Sequence, residues 1–92
     1  MLSKTAKDKI IQKYRQHESD TGSSEVQIAI LTAEVSDLTK HLKEHKKDFS
    51  SRRGLLKKVG ERRRLLRYLK KDNPNNYVKL VSELKIRTTD ND

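Results

Sequence analysis

One short string in the middle of the sequence has the residue types of a metal site. Residues 41–45 read H-L-K-E-H, which matches the inverted zinc-protease string H-x-x-E-H with two histidines on one helix face. A five-residue string is a weak match, its surroundings are cationic, and a chain of 92 residues offers no evident substrate cleft. We therefore expect neither a metal nor a cofactor here.

His41, Asp48 and Ser51 also supply the residue types of a hydrolase triad. Ser51 follows no nucleophile-elbow glycines, and no oxyanion loop is evident. We therefore expect a protein that is not an enzyme.

The same short polar side chains suit recognition of a nucleic acid. The minor groove of A-form RNA is wide and shallow and displays 2′-hydroxyl and guanine amino groups, which Asp, Ser and His side chains can reach. B-form DNA is better read by an inserted recognition helix, and no helix-turn-helix of short helices is visible. These residues therefore favour RNA.

The charge of the chain is concentrated in one segment. Arg52 to Lys71 contains ten basic residues and one acid, Glu61, and its charge of +9 equals the net charge of the whole chain. Such a segment is the expected electrostatic footprint on a polyanion. A membrane surface is a poorer partner, because the chain has no Trp and one Phe to anchor it. We expect no membrane partner and, without a signal peptide or a long apolar run, a cytoplasmic location.

As a helix, the basic segment has two faces. One carries an apolar stripe, with Leu65 at its edge: Leu55, Leu56, Val59, Leu66 and Leu69. The opposite face carries cations: Arg53, Lys57, Arg64, Arg67 and Lys71. Tyr68 projects among these cations, where its ring could stack on a base or ribose; the alternative is that it packs under a loop or a neighbouring helix.

The elements that position these residues are predicted to be four helices in an all-α fold, a single domain over residues 1–92. Leu2 to Gln16 predicts a short, loosely attached and mobile first helix. A second helix begins near Ser24 with an apolar seam: Ile28, Leu31, Val35, Leu38 and Leu42. A short corner follows, so we expect the second and third helices to form a long antiparallel αα-hairpin.

Asp48 or Ser50 could cap the third helix, and Asn73 before Pro74 predicts the cap of a short fourth helix. That helix has its own apolar residues: Tyr77, Leu80, Val81 and Leu84. The last residues, 88–92, are predicted to fray.

Polar residues follow one flank of the second helix beside the seam: Gln27, Glu34, His41, His45 and, if the helix extended that far, Asp48. Gln27 and His41 are separated by about 21 Å of helix, which could place two contact points on one side of the hairpin. Gln27 could instead close a capping box with Ser24.

Three residues of the basic segment leave alternatives open. Gly54 and Gly60 lower helix propensity, so each could mark close approach either of another helix or of a ligand. Arg62 sits nearly on the apolar stripe, where it could extend to solvent or pair with an acid across the hairpin.

Four long motifs resemble the bacterial type of the small-subunit ribosomal protein fifteen family. They are D-T-G-S-S-E-V-Q (residues 20–27), H-L-K-E-H-K-K-D (41–48), S-R-R-G-L-L (51–56) and R-R-x-L-L-x-Y-L (62–69). The resemblance spans essentially the whole chain in matching order. It implies a four-helix, RNA-binding protein that binds the central domain of small-subunit ribosomal RNA early in assembly.

Carried over to matching positions, the resemblance implies two RNA contact sites. A three-helix junction would meet Thr21, Gly22, Gln27, Arg64 and Tyr68. A minor-groove site in an adjoining stem would meet His41, Asp48 and Ser51, with His45 close by. Added to the cations Arg53, Lys57 and Lys71, these residues make up the predicted RNA-binding set.

The resemblance also implies further partners. These are neighbouring ribosomal proteins, and large-subunit ribosomal RNA near the corner. Some family members repress their own messenger RNA, a trait that does not carry over without the transcript. Phe49, where His or Tyr is common, and the acidic tail of residues 88–92 depart from the family pattern. The alternatives from other classes are a basic helical adaptor or DNA-compacting protein and, third, a metalloenzyme.

Overall fold

The chain folds into four α-helices in a computed structural model that describes residues 4–14 and 23–84. The helices are α1 (Lys4–Tyr14), α2 (Ser24–Glu44), α3 (Phe49–Asp72) and α4 (Pro74–Leu84). The all-α fold and the order of its elements are therefore confirmed. The predicted fraying of residues 88–92 falls outside the described residues. Within the two described ranges, no helix combines the length and the apolar character that crossing a membrane requires.

Helix α2 begins at Ser24, as predicted, but its N-cap is the preceding residue and not Ser24. The N-cap is Ser23, whose hydroxyl accepts a 3.3 Å hydrogen bond from the N–H of Val26. Gln27 is therefore the fourth residue after the cap, and its N–H donates to the carbonyl of Ser23. A capping box needs its acceptor three residues after the cap, so the predicted Ser24–Gln27 box is wrong.

The other two caps agree with the sequence. Asp48 caps α3, accepting from the N–H of Ser51 at 3.1 Å. Asn73 caps α4, accepting from the N–H of Asn76 at 3.2 Å, and Pro74 is the first residue of that helix. Each cap satisfies an N–H that has no partner inside its helix, and this fixes where the chain turns.

Helices α2 and α3 run antiparallel, as predicted, and α4 closes one end of their hairpin. A cluster of buried core residues lies at that end, where three helices meet: Ile28, Leu66, Leu69, Tyr77 and Leu80. Toward the corner the seam of α2 is only half-buried at Val35, Leu38 and Leu42. The corner therefore projects from the three-helix core as the free end of the hairpin.

Helix α1 packs mainly on α2 and contributes no fully buried side chain. Its predicted apolar edge is half-buried at Ala6, Ile10 and Ile11, and Tyr14 packs against the core. This small contact area is the expected basis of loose attachment, which remains a prediction.

Two predicted side-chain environments are wrong. Leu56, assigned to the apolar stripe, is 67% exposed, whereas Glu34, assigned to the polar flank, is 6% exposed. Leu55 and Leu56 point about 100° apart on a helix, so one partner helix cannot cover both. Glu34 is buried because α3 brings Lys58 against it, with 3.2 Å between ammonium and carboxylate.

Candidate nucleic-acid interface

The corner between α2 and α3 is held by the carboxylate of Asp48. One oxygen, Oδ1, accepts the N–H of Ser51 at 3.1 Å. The other, Oδ2, accepts the Ser51 hydroxyl at 2.7 Å and lies 2.8 Å from Nε2 of His41. The bond to His41, then the bonds from Ser51, lower the pKa of Asp48 to about 2. One ionised carboxylate thus fixes the end of α2 to the start of α3.

The hydrogen bond to Asp48 determines how His41 presents its ring. An ionised carboxylate only accepts hydrogen bonds, so Nε2 of His41 carries the proton, and in a neutral ring Nδ1 is then an acceptor. The ring of His45 lies beside it, with centroids 4.6 Å apart and planes tilted by 34°. His45 is exposed and is the C-cap residue of α2. The four predicted corner residues therefore form one cluster, which we call the corner cluster: His41, His45, Asp48 and Ser51.

This cluster does not have the geometry of a hydrolase triad. In a triad the histidine lies between serine and carboxylate and takes the serine proton. Here Asp48 is the central group, and the Ser51 hydroxyl donates to it rather than to His41. The arrangement offers polar groups for recognition, with no base placed to activate the serine.

The H-x-x-E-H string does not assemble a metal site with its neighbours. Over residues 4–14 and 23–84, no group of three or more His, Cys, Asp or Glu side chains is placed to hold an ion. His41 is instead bonded to Asp48.

The outward face of α3 is a surface of available cations. Its predicted members are all exposed, and in the described part of the chain none of their side chains forms an ion pair or hydrogen bond: Arg53, Lys57, Arg64, Arg67 and Lys71. Unpaired cations on one side of a helix can neutralise phosphates without first losing an internal partner.

Two other cations of the basic segment are half-buried and contact α2. Lys58 pairs with Glu34, and the guanidinium of Arg62 donates to the hydroxyl of Thr32 at 3.4 Å. Partial burial lowers the pKa of Arg62. The predicted contact of Arg62 across the hairpin exists, although its partner is a hydroxyl and not an acid. Sequence reasoning missed the role of Lys58. The antiparallel register of the hairpin places Lys58 opposite Glu34, and this register is the signal that could have revealed the role.

Tyr68 lies on the surface of α3, with 60% of its area exposed. The alternative in which this ring packs under a neighbouring helix is wrong for the described residues. The tyrosines that contribute to the core are Tyr77, which is buried, and Tyr14. Tyr68 is therefore available for stacking, one turn from the exposed Arg64.

Gln27 is exposed on α2 and lines a shallow cleft of about 180 Å³ with Glu34 of the same helix and Glu61 of α3. The predicted flank is thus interrupted at Glu34, which is committed to Lys58. Thr21 and Gly22 lie outside the described residues.

The two glycines of α3 are not sites of close helix packing. A Cβ added at Gly54 or at Gly60 would meet nothing within 4 Å among the described residues. Close approach of another helix is therefore excluded as the reason for either glycine, and approach of a ligand remains the open alternative.

The predicted residues thus fall into two groups on one hairpin. The corner cluster lies at one end, and Arg64 and Tyr68 lie toward the other. From Ser51 to Tyr68 the helix rises about 25 Å. The structure brings together the members of the corner cluster but keeps the two groups a helix length apart.

Comparison with known proteins identifies the family to which the chain is similar. The family model for ribosomal protein S15 matches residues 7–87. Small ribosomal subunit protein uS15 of Heliobacterium modesticaldum is 60% identical over 86 residues, covering 94% of this chain and 97% of the relative. The protein of the same name from Staphylococcus carnosus is 58% identical with the same coverage, as is that from Desulforudis audaxviator. The chain therefore belongs to the ribosomal protein S15 family.

Proposed function

We propose that this protein is a structural component of the small ribosomal subunit in the cytoplasm and binds its RNA directly. It contacts a three-helix junction through Gln27, Arg64 and Tyr68, with Thr21 and Gly22, and the minor groove of an adjoining stem through the corner cluster. Binding at both places orders the junction for later assembly. The relatives named as small ribosomal subunit proteins support the first statement.

The observation that carries the proposal is that charged and uncharged contact residues occupy different parts of α3. Unpaired cations cover its outward face, while the uncharged readers Ser51 and Tyr68 lie near its two ends. Phosphate contacts supply strength without sequence choice, whereas polar and aromatic contacts to bases and riboses discriminate. A protein that only compacts a polyanion has no need of an ordered polar corner.

The corner also favours contacts beyond the primary RNA site. It projects from the core and exposes Lys46 and Lys47 together with Phe49, which is 64% exposed. We include in the proposal that this end meets large-subunit RNA, and that neighbouring ribosomal proteins contact the assembled particle around it.

The proposal is tested by competition between two polyanions. A junction-containing fragment of small-subunit RNA should bind more tightly than duplex DNA of equal length at about 150 mM salt. Equal affinity for both would reject the proposal in favour of a DNA-compacting protein.

The corner is tested separately with His41→Ala and Ser51→Ala. Both should relax the preference for the intact stem over one with altered minor-groove groups, while the helical content stays unchanged. Lys40→Ala, an exposed residue of α2 beside His41, is the matched control and should keep that preference. Unchanged discrimination in the first two variants would remove the groove-reading role.

A further inference from the structure

One acid stands in the cationic segment without a partner. Glu61 is exposed and faces Lys57 four residues before it and Arg64 three residues after it, spacings at which charged side chains on a helix can pair. In the described part of the chain its carboxylate forms no ion pair or hydrogen bond. Lys58, a cation three residues before Glu61, is directed to Glu34. Both oxygens of Glu61 are therefore available to a ligand.

Glu61 lies midway along a line that connects the two proposed RNA sites. Gly54, Glu61 and Tyr68 are spaced by seven residues, so they share one side of α3 at intervals of about 10 Å, drifting by only about 20° per step. Ser51 lies one turn before Gly54. We call Gly54, Glu61 and Tyr68 the line. Its one charge is the carboxylate of Glu61, which lies between a glycine and an aromatic ring.

The line has different neighbours on its two sides. Lys57 and Arg64 lie on the side toward the outward cationic face. On the other side is α2, because Glu61 shares its cleft with Gln27 and Glu34. An RNA strand whose phosphates meet the cations therefore presents its ribose and base edges to the line.

A carboxylate in this position rejects phosphate and selects hydrogen-bond donors. It repels a phosphate by like charge, and when ionised it can only accept hydrogen bonds. The ribose 2′-hydroxyl is a donor that the minor groove of RNA displays and that DNA lacks. The open space beside Gly54 leaves room for a ribose to approach the helix on the same side.

We propose that Glu61 accepts a hydrogen bond from a ribose 2′-hydroxyl of the RNA segment between the two contact sites, and that it makes this face selective for RNA over DNA. The inference rests on the proposed function and adds a selectivity residue to it. Glu61 acts by contact with the RNA, through its oxygens and its charge.

The test combines variants of Glu61 with single 2′-deoxy substitutions along the stem of the junction-containing RNA. In the native protein at least one substitution should weaken binding about tenfold, as loss of a hydrogen bond to a charged group predicts. Glu61→Ala should be insensitive to that substitution. Glu61→Gln, which keeps an acceptor oxygen, should remain sensitive.

Binding to duplex DNA measures the effect of the negative charge of Glu61. Glu61→Gln and Glu61→Ala should both bind DNA more tightly than the native protein does. The control Glu83→Gln removes an equal charge from an exposed position on α4 and should raise DNA affinity less. Because Glu61 is exposed, all variants should have the same urea unfolding midpoint as the native protein within error. Urea unfolding of each variant is measured alongside the binding.

Two results would overturn the inference. One is a 2′-deoxy profile of Glu61→Ala identical to that of the native protein. The other is that Glu61→Gln and Glu83→Gln change the affinities for RNA and DNA equally, which would show that Glu61 contributes only to the net charge. Either result leaves the proposed function standing if the native protein still prefers the RNA fragment, whereas loss of that preference rejects the proposed function itself.

Discussion

The ammonium group of Lys58 lies 3.2 Å from the carboxylate of Glu34, and this contact joins α3 to α2 midway along the hairpin. The Glu34 side chain is almost fully buried, whereas Lys58 keeps about a fifth of its side chain in solvent. A buried carboxylate needs its partner, because an unpaired charge away from water is costly. Lys58 therefore has a structural role, unlike the exposed cations on the outward face of α3.

The first prediction compares Lys58 with its neighbour. Lys58→Met should destabilise the fold by about 2 kcal/mol, less than for a fully buried pair because Lys58 is partly exposed. Lys57→Met, at an exposed and unpaired position, should change stability by less than about 0.5 kcal/mol and should lower the salt slope of RNA binding by about one. Urea unfolding and salt titrations check the pair. Equal unfolding midpoints would contradict the structural role of Lys58.

The second prediction compares two tyrosines. Tyr68→Ala should weaken RNA binding by about 1–3 kcal/mol with little change in salt slope, because a stacked ring and not a charge is lost. Tyr77→Ala should destabilise the fold by about 3–5 kcal/mol, because that ring is buried in the core. Binding titrations and urea unfolding separate the two effects. Unfolding of Tyr68→Ala would show that its ring packs in the fold after all.

The third prediction concerns the glycines of α3. Gly60→Ala and Gly54→Ala should each stabilise the fold by about 1 kcal/mol, since a methyl group meets open space and Ala favours the helix. Gly54→Ala should at the same time weaken binding of the junction RNA, because Gly54 lies beside the proposed path of the ribose. A rise in RNA affinity for Gly54→Ala would argue against that path, and a fall in stability would contradict the open space.

The fourth prediction concerns acid. The pKa of Asp48 is lowered from its ordinary 3.8 to about 2, so its contribution to stability is present above pH 4 and is lost as the pH falls through 2. Asp48→Asn keeps a good N-cap but has no carboxylate to titrate. Its unfolding temperature should therefore fall less than that of the native protein between pH 4 and pH 2. Parallel curves for the two proteins would exclude a role for this carboxylate in acid unfolding.

The sequence predicts the elements of this fold well and their mutual rotation less well. Caps are local, so Asp48 and Asn73 could be identified from their own neighbourhoods. Which side of α3 faces α2 depends on the partner, and the apolar stripe leaves room for error of about one residue at each margin. Leu56 lies at that margin and is exposed, and only the register of the hairpin reveals that Glu34 is buried.

The candidate site shows the same division. The corner cluster is close in sequence, so its residues could be recognised together, but the central position of Asp48 could not, because it depends on side-chain rotamers. The unpaired state of Glu61 was also beyond the sequence. Neighbouring opposite charges on a helix normally predict pairing, yet among the described residues Glu61 forms no pair with Lys57 or Arg64, and Lys58 pairs with an acid on another helix.

The carboxylate of Asp48 has little acceptor capacity left for a ligand. Its two oxygens offer roughly four lone-pair positions, and bonds from the Ser51 N–H, the Ser51 hydroxyl and His41 occupy three of them. The remaining position is on Oδ1, and its direction is fixed because the other three bonds hold the group. Asp48 can therefore recognise a single donor from a single direction, which makes this corner sensitive to the angle at which a stem arrives.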